Sequence, residues 1–233
     1  MSTQSSKVSV FLPCRAGSQR VKNKNTRPFT KSGNSLLNIK LTQLLKCDLV
    51  SEIILSTNDE IVIKQACQFN SNRLIIHKRS DDLASSETTT DNLIKLVPSL
   101  INGHIMWTHV TSPFVNHTKY DEMVNCYFNH LHKYDSLMSV TILKKFIWDE
   151  FGPYNYNASG LNWPFTQDLK RLFEINSACF IASSSNYAKY NNRIGPNPFF
   201  YKLNNIDSID IDYEDDFRLA SIVYDSLNVS SSI

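Results

Sequence analysis

Val8-Ser-Val-Phe-Leu-Pro-Cys-Arg-Ala-Gly-Ser-Gln-Arg-Val-Lys-Asn-Lys-Asn25 opens on a short apolar run and passes directly into a basic loop with Gly17 and Ser18 at its bend. The run Val8 to Leu12 reads as a first β-strand. Five Lys or Arg fall between Arg15 and Arg27, and no acidic residue precedes Asp48, so the first 47 residues carry nine positive charges unopposed. A net charge of +2 conceals this, because the rest of the chain sets fifteen cations against twenty-two carboxylates. Cations on a strand-to-helix turn, where free backbone N–H groups and a helix N-terminus also point outward, suit a polyphosphate. The loop is neither G-x-G-x-x-G nor G-x-x-x-x-G-K-[ST], so it supports neither dinucleotide nor Walker-type binding. From charge alone, a solvated basic loop is the competing reading.

Working outward, Ser35 to Lys46 carries Leu37, Leu41, Leu44 and Leu45 at helical spacing. Glu52 to Ser56 reads as a strand, Asn58 to Phe69 as a helix capped by Asn58 or Asp59, and Arg73 to His77 as a third strand. Helices are predicted over Thr89 to Leu100 and Lys119 to His132, with extended segments at His104 to Val110 and Ser136 to Leu143. This alternation predicts an α/β fold of three layers, a mostly parallel sheet with helices on both faces, in one domain spanning 1–233. Lys144 to Phe173 breaks the rhythm with Gly152, Pro153, Gly160, Pro164 and clustered aromatics. It reads either as a protruding arm, serving as a second-subunit interface or a lid, or as an irregular loop folded on its own domain. Extended segments return at Ala178 to Ala182, Phe199 to Leu203 and Ile206 to Ile211, before a helix from Tyr213 to Leu227 and a frayed Ser230 to Ser232 tail.

With 233 residues, 42% hydrophobic and 20% charged, the chain is long enough for one sizeable core. The first 30 residues lack an apolar signal segment and nowhere do 18 apolar residues run together, so the expected location is cytoplasmic, with no membrane partner. Cys14, Cys47, Cys67, Cys126 and Cys179 show no C-x-x-C spacing and fit reduced thiols. Phe29 is the one aromatic from residue 12 to 68, so the basic third lacks a stacking platform for nucleic acid.

Three further clusters lie where strands end, which is where open sheets of this class bind ligands. In Ser208-Ile-Asp-Ile-Asp212, read as a strand, Asp210 and Asp212 stand on one face while Ile209 and Ile211 turn to the core. Such a carboxylate pair suits a hard divalent cation, or else merely faces solvent or caps the next helix. Thr108-His-Val-Thr-Ser-Pro-Phe114 offers hydroxyls and an imidazole for a polyhydroxylated ligand, or a cap for the following helix. Arg79, with Ser85, Ser86 and Thr88 to Thr90, has the same two readings. Cationic loop and paired Asp together suggest a nucleoside triphosphate with its metal.

At this point the chain resembles the acylneuraminate (nonulosonic acid) cytidylyltransferases, the CMP-sialic acid synthetase group, with Kdo cytidylyltransferases as more distant relatives. The resemblance runs from Leu12 to about Ala220. It is carried by Leu12-Pro-Cys-Arg with Gly17-Ser18 and Lys24-Asn25, by Ser56-Thr-Asn-Asp-Glu60, Arg79 to Ala84, Thr111-Ser-Pro113, Asp135-Ser136, Asn176 and Ser208 to Asp212. It implies a Rossmann-like nucleotidyltransferase that moves CMP from CTP to a 2-keto sugar acid, releases pyrophosphate and uses Mg²⁺; a homodimer is expected through the Lys144 to Phe173 arm. By the same resemblance Leu12, Cys14, Arg15, Ser18, Arg20, Lys24, Asn25 and Arg79 bind nucleotide, and His109, Thr111, Ser112 and Asn176 bind sugar. Asp210 and Asp212 hold the metal, with Arg15, Lys24 and Asp212 catalytic. The sequence departs from the family pattern at Gln19-Arg20, His109-Val110, Phe114-Val115 and Ser177. The alternatives are a nucleotidyltransferase using another triphosphate or a sugar 1-phosphate, and a non-catalytic nucleotide-binding relative.

Overall fold

The computed structural model describes residues 6–80, 83, 88–157 and 162–230. Ser85, Ser86, Gly160 and the Ser231–Ser232 end of the tail lie outside the described residues. Strand β1 (Val8–Cys14) alternates its side chains between two cores. Val8, Val10, Leu12 and Cys14 pack on one face of the sheet and Phe11 on the other. It is followed by α1 (Leu36–Leu45), β2 (Val50–Thr57), α2 (Glu60–Ala66), β3 (Leu74–Lys78), α3 (Thr90–Leu100), β4 (His104–Trp107), α4 (His117–His130) and β5 (Ser136–Leu143). After a hairpin of β6 (Trp148–Asp149) and β7 (Gly152–Pro153) come β8 (Leu172–Ser183), α5 (Ser184–Tyr190), β9 (Pro198–Lys202) and α6 (Glu214–Ser230).

The main sheet has the order β3-β2-β1-β4-β8-β5-β9. Every pairing is parallel except those of β8, which runs antiparallel to both β4 and β5. Helices α1, α2, α4 and α6 cover one face through residues such as Leu41, Val62, Met123 and Phe217. Helices α3 and α5 cover the other through Leu93, Val97 and Tyr187. The three-layer α/β expectation therefore holds, and each large core side chain contributes about 1.5–3 kcal/mol by leaving water.

Local chemistry sets the element starts. Ser35 caps α1, accepting from Asn38 N, and the Asn38 side chain returns to the Ser35 backbone. Asp59 caps α2, and Asn70, in the left-handed region at φ +41°, ends the 3₁₀ turn that extends it.

Two sequence expectations are corrected, and one further element is found. Ile206 to Ile211 forms no strand, because the Asn204 side chain accepts from the backbone N–H of Ile206 and Asp207 and winds the segment into turns. Strand β8 begins at Leu172 rather than Ala178, since Leu172 to Ile175 continue the ladder with β5. Helix α5 was not anticipated: its Ser-rich start hides a cap at Ser183, and Tyr187 is its one buried residue. Between β5 and β8 the hairpin and the chain that follows it expose Trp148, Phe151, Tyr154, Trp163 and Phe165, with Phe151 90% accessible. Among the described residues no helix is long and apolar enough to cross a membrane.

Candidate active site

Strand order reverses between β1 and β4: the chain progresses from β1 through β2 to β3 on one side, then crosses to β4 on the other. Loops leaving the carboxyl ends of these two strands part there and leave a crevice. A cleft of ≈ 410 Å³ occupies it, lined on one wall by Arg15, Ser18, Gln19, Arg20, Lys24 and Asn25 and on the other by His109, Val110 and Thr111. Arg79 and Thr88 also line it.

The basic loop is held open by its own backbone. Gly17 takes φ +73°, where a side chain is disfavoured, and the Ala16 N–H donates to Asn58 Oδ1 at 3.0 Å. Asn25 is buried, donates through Nδ2 to Arg15 O at 3.3 Å and accepts at its carbonyl from Leu37 N at 3.0 Å. It fastens the loop to itself and to the first turn of α1. Leu12 and Cys14 do not line the cleft: the strand alternation sends both side chains into the α1/α2 core, and burial pushes the Cys14 thiol up to about 12.

Two loop cations reach the Ser208 to Asp212 segment. Arg20 Nη2 pairs with Asp212 Oδ1 at 2.7 Å and stacks 5.0 Å over Tyr213. Lys24 Nζ donates to Ile211 O at 2.8 Å, between the two aspartates. Burial lowers the Lys24 pKa, opposed by Asp212 and Asp210, so both carboxylates act on this one ammonium. The segment is held without a strand: Ile211 is fully buried and its N–H donates to Thr111 O at 3.1 Å, and the flanking aspartates lie outside the cleft lining, joined to it through Arg20 and Lys24. Asp210 Oδ1 accepts from the Ile211 N–H at 3.0 Å.

As for a metal, the available donors are hard carboxylate oxygens, which fit Mg²⁺. Among the described residues no group of three or more His, Cys, Asp or Glu is gathered, but Mg²⁺ characteristically takes one or two carboxylates together with substrate phosphates. Asp210 and Asp212 fit that pattern.

On the β3 side, Arg79 is buried and donates to Ser56 O at 2.8 Å and Ser56 Oγ at 3.3 Å, with its pKa lowered by burial. On the β4 side, His109 and Thr111 line the cleft, whereas Ser112 is buried and offers its carbonyl inward. Asn176 lies apart from the cleft lining, with Nδ2 donating to Thr141 Oγ1 at 3.1 Å and Oδ1 buried without a protein donor among the described residues. Sequence reasoning missed Trp107, which lines the cleft, and Lys40 and Arg193, which support its β4 wall. Lys40 Nζ donates to Ser112 O at 2.8 Å and to the Tyr120 hydroxyl at 2.6 Å. A lone lysine inside an apolar helical stripe was the only available signal.

A model of the family described as Cytidylyltransferase matches residues 9–222. The pseudaminic acid cytidylyltransferase of Campylobacter jejuni is 24% identical over 229 residues, covering 92% of this chain and 94% of that protein. The N-acylneuraminate cytidylyltransferase of Escherichia coli O18:K1:H7 is 25% identical over 239 residues, covering 95% of this chain but 53% of its own length. Among solved structures, CMP:2-keto-3-deoxy-manno-octonic acid synthetase complexed with CTP matches with TM-score 0.66 at 12% identity, over 94% of this chain and 98% of that one. The 4-diphosphocytidyl-2C-methyl-D-erythritol synthase of Anaerococcus prevotii matches with TM-score 0.67 at 15% identity, over 94% and 96%. The switch-point cleft, the cationic turn after β1 and a family match over nearly the whole length agree: the chain belongs to the cytidylyltransferase family and is a nucleotidyltransferase.

Proposed function

We propose that the protein transfers CMP from CTP to a 2-keto sugar acid of the nonulosonic type, releasing pyrophosphate, with Mg²⁺ held by Asp210 and Asp212. The observation that carries this reading is the convergence of Arg15, Ser18, Arg20 and Lys24 in one cleft, with Arg20 and Lys24 both reaching the segment that bears the two aspartates. The sugar acid is supported by the relatives named for pseudaminic acid and N-acylneuraminate.

The triphosphate lies along the β1 turn, where Arg15, Ser18 and Lys24 take its oxygens and neutralise charge that grows on the leaving pyrophosphate. Arg79, fixed by Ser56, faces the nucleoside. The acceptor hydroxyl approaches from the His109 and Thr111 wall, in line with the α-phosphorus, and its proton passes to a carboxylate of the Asp210–Asp212 pair. Bound Mg²⁺ supplies Lewis-acid stabilisation of the phosphate charge. No covalent enzyme intermediate is needed. Five unpaired cysteines suit a reducing compartment, and we place the reaction in the cytoplasm. The exposed aromatics of the β6–β7 arm support a homodimer interface.

The test is pyrophosphate release from each of the four nucleoside triphosphates with Mg²⁺, against a panel of 2-keto sugar acids. Turnover with CTP and a nonulosonic acid is expected. Turnover only with another triphosphate, or only with a sugar 1-phosphate, overturns the reading.

A further inference from the structure

His109 leaves the end of β4 with its ring on the cleft wall. Trp107 Nε1, which bears a hydrogen and no lone pair, donates to His109 Nε2 at 2.8 Å. Arg193 Nη1 approaches the same nitrogen at 3.4 Å. Nε2 is therefore the acceptor, and the single proton of the neutral ring resides on Nδ1. A second proton would set an N–H against the indole N–H and beside a guanidinium. The charged groups that act on the ring are Arg193 from the loop after α5, Lys24 from the basic loop and Lys40 from α1, all cations. Burial first, then these cations, push the imidazolium down to about 3.

Arg193 is fixed by stacking, its guanidinium carbon 3.7 Å from the Phe180 ring centre and 5.2 Å from that of Trp107. No carboxylate forms an ion pair with it among the described residues. With the Nε2 side occupied, no protein group among the described residues reaches Nδ1. His109 thus offers a neutral Nδ1–H donor in the field of Arg193, Lys24 and Lys40. A 2-keto sugar acid offers hydroxyls, which both donate and accept, and one carboxylate, which only accepts and is anionic.

We infer that His109 is a fixed Nδ1–H donor that selects the carboxylate of the acceptor, with Trp107 and Arg193 as positioning residues that hold its tautomer. This assignment rests on the reaction proposed above, whereas the tautomer itself does not. Two-bond ¹H–¹⁵N spectra of the labelled protein, assigned through His109→Gln, should show Nδ1 protonated and Nε2 bare throughout pH 5–8. Titration within that range, or a proton on Nε2, overturns the lock. Trp107→Phe removes the donor and should produce mixed tautomers or a midpoint moved up toward that of a free histidine. Arg193→Gln gives the same readout, more weakly, if the Trp107 variant fails to fold.

For the carboxylate, kcat/KM is compared for pseudaminate and N-acetylneuraminate against their methyl esters. His109→Leu should reduce the preference for acid over ester by about tenfold or more, the size expected of a hydrogen bond to a charged group. His109→Gln, which keeps an N–H donor, should retain most of it. An unchanged preference in His109→Leu overturns the assignment. If neither acid supports turnover, the carboxylate assignment falls with the reaction, and the ring spectra still decide the tautomer lock.

Discussion

Lys40 lies fully buried on α1, and its ammonium is met by the Ser112 carbonyl and the Tyr120 hydroxyl, with no carboxylate at ion-pair distance among the described residues. Burial lowers its pKa from 10.5 to about 7, which corresponds to roughly 5 kcal/mol between the charged and neutral forms. The sign follows from linkage. Below pH 7 both the folded and unfolded chains hold the proton, and the folded state bears the full cost of the buried charge. Between pH 7 and 10.5 the unfolded chain keeps a proton that the folded chain has shed, so this group makes stability rise with pH, by up to about 1.4 kcal/mol per pH unit. Lys40→Met removes the charge but keeps most of the apolar stem. It strands the Ser112 carbonyl at a cost of about 1–3 kcal/mol, while Tyr120 keeps its 2.8 Å bond with Thr108. The Met variant should therefore be more stable than wild type by about 2–4 kcal/mol at pH 6, and the gap should shrink by about 2–3 kcal/mol by pH 9. Urea unfolding of both proteins at pH 6, 7, 8 and 9 measures this. Parallel stability curves from pH 7 to 9 would refute the buried-ammonium argument, whatever the absolute difference.

Other predictions concern the cleft. Asp212→Asn and Asp210→Asn should each lower Mg²⁺-supported pyrophosphate release by about a hundredfold or more, since a lost metal ligand forfeits several kcal/mol of transition-state stabilisation; near-normal turnover in both would sink the metal assignment. Arg15→Ala should raise the KM for CTP by about ten- to a hundredfold, as expected for a lost charge-assisted contact, and an unaltered CTP dependence would remove Arg15 from the phosphate site. Replacing Phe151 and Trp163, 90% and 70% accessible, by Ser should lower the sedimenting mass to that of one chain if the arm forms the dimer. A wild-type protein that already sediments as a single chain would dispose of that interface.

The fold was legible wherever one side-chain period ran long enough. In β1 an apolar run of period 2 ends at a glycine-bearing basic turn, and in α1 leucines recur at helical spacing behind a Ser cap. Both elements lie within one or two residues of their expected ends. The misreadings share a cause. Ile206 to Ile211 carries β-like alternation, and the alternation is real in that Ile211 is buried and Ile209 packs against the same core. What prevents a strand is the Asn204 turn before it, because side-chain acceptors there capture the N–H groups that a ladder would need. The start of β8 was hidden in the opposite way: Leu172 to Ile175 looked like part of an irregular arm until β5 was beside it.

Legibility of the site divides along the same line. The proposed phosphate site is local: the charge of one turn was legible by itself, the family resemblance singled out Arg15, Ser18, Arg20 and Lys24 within it, and these four do share one cleft. The facing wall, proposed to take the acceptor, is assembled from β4, α1 and the loop after α5, and no window of sequence contains it. His109 was visible as an imidazole at a strand end, but its protonation depends on Trp107 two residues earlier and Arg193 eighty-four residues later. Lys40 looked like one polar interruption of an apolar helix face, yet it fixes the carbonyl three residues beyond His109. A titratable group's environment, rather than its identity, determines which proton it carries. The proposed nucleotide half of this enzyme can thus be argued from one loop, whereas the proposed acceptor half becomes arguable only once the sheet has brought three distant segments to a common wall.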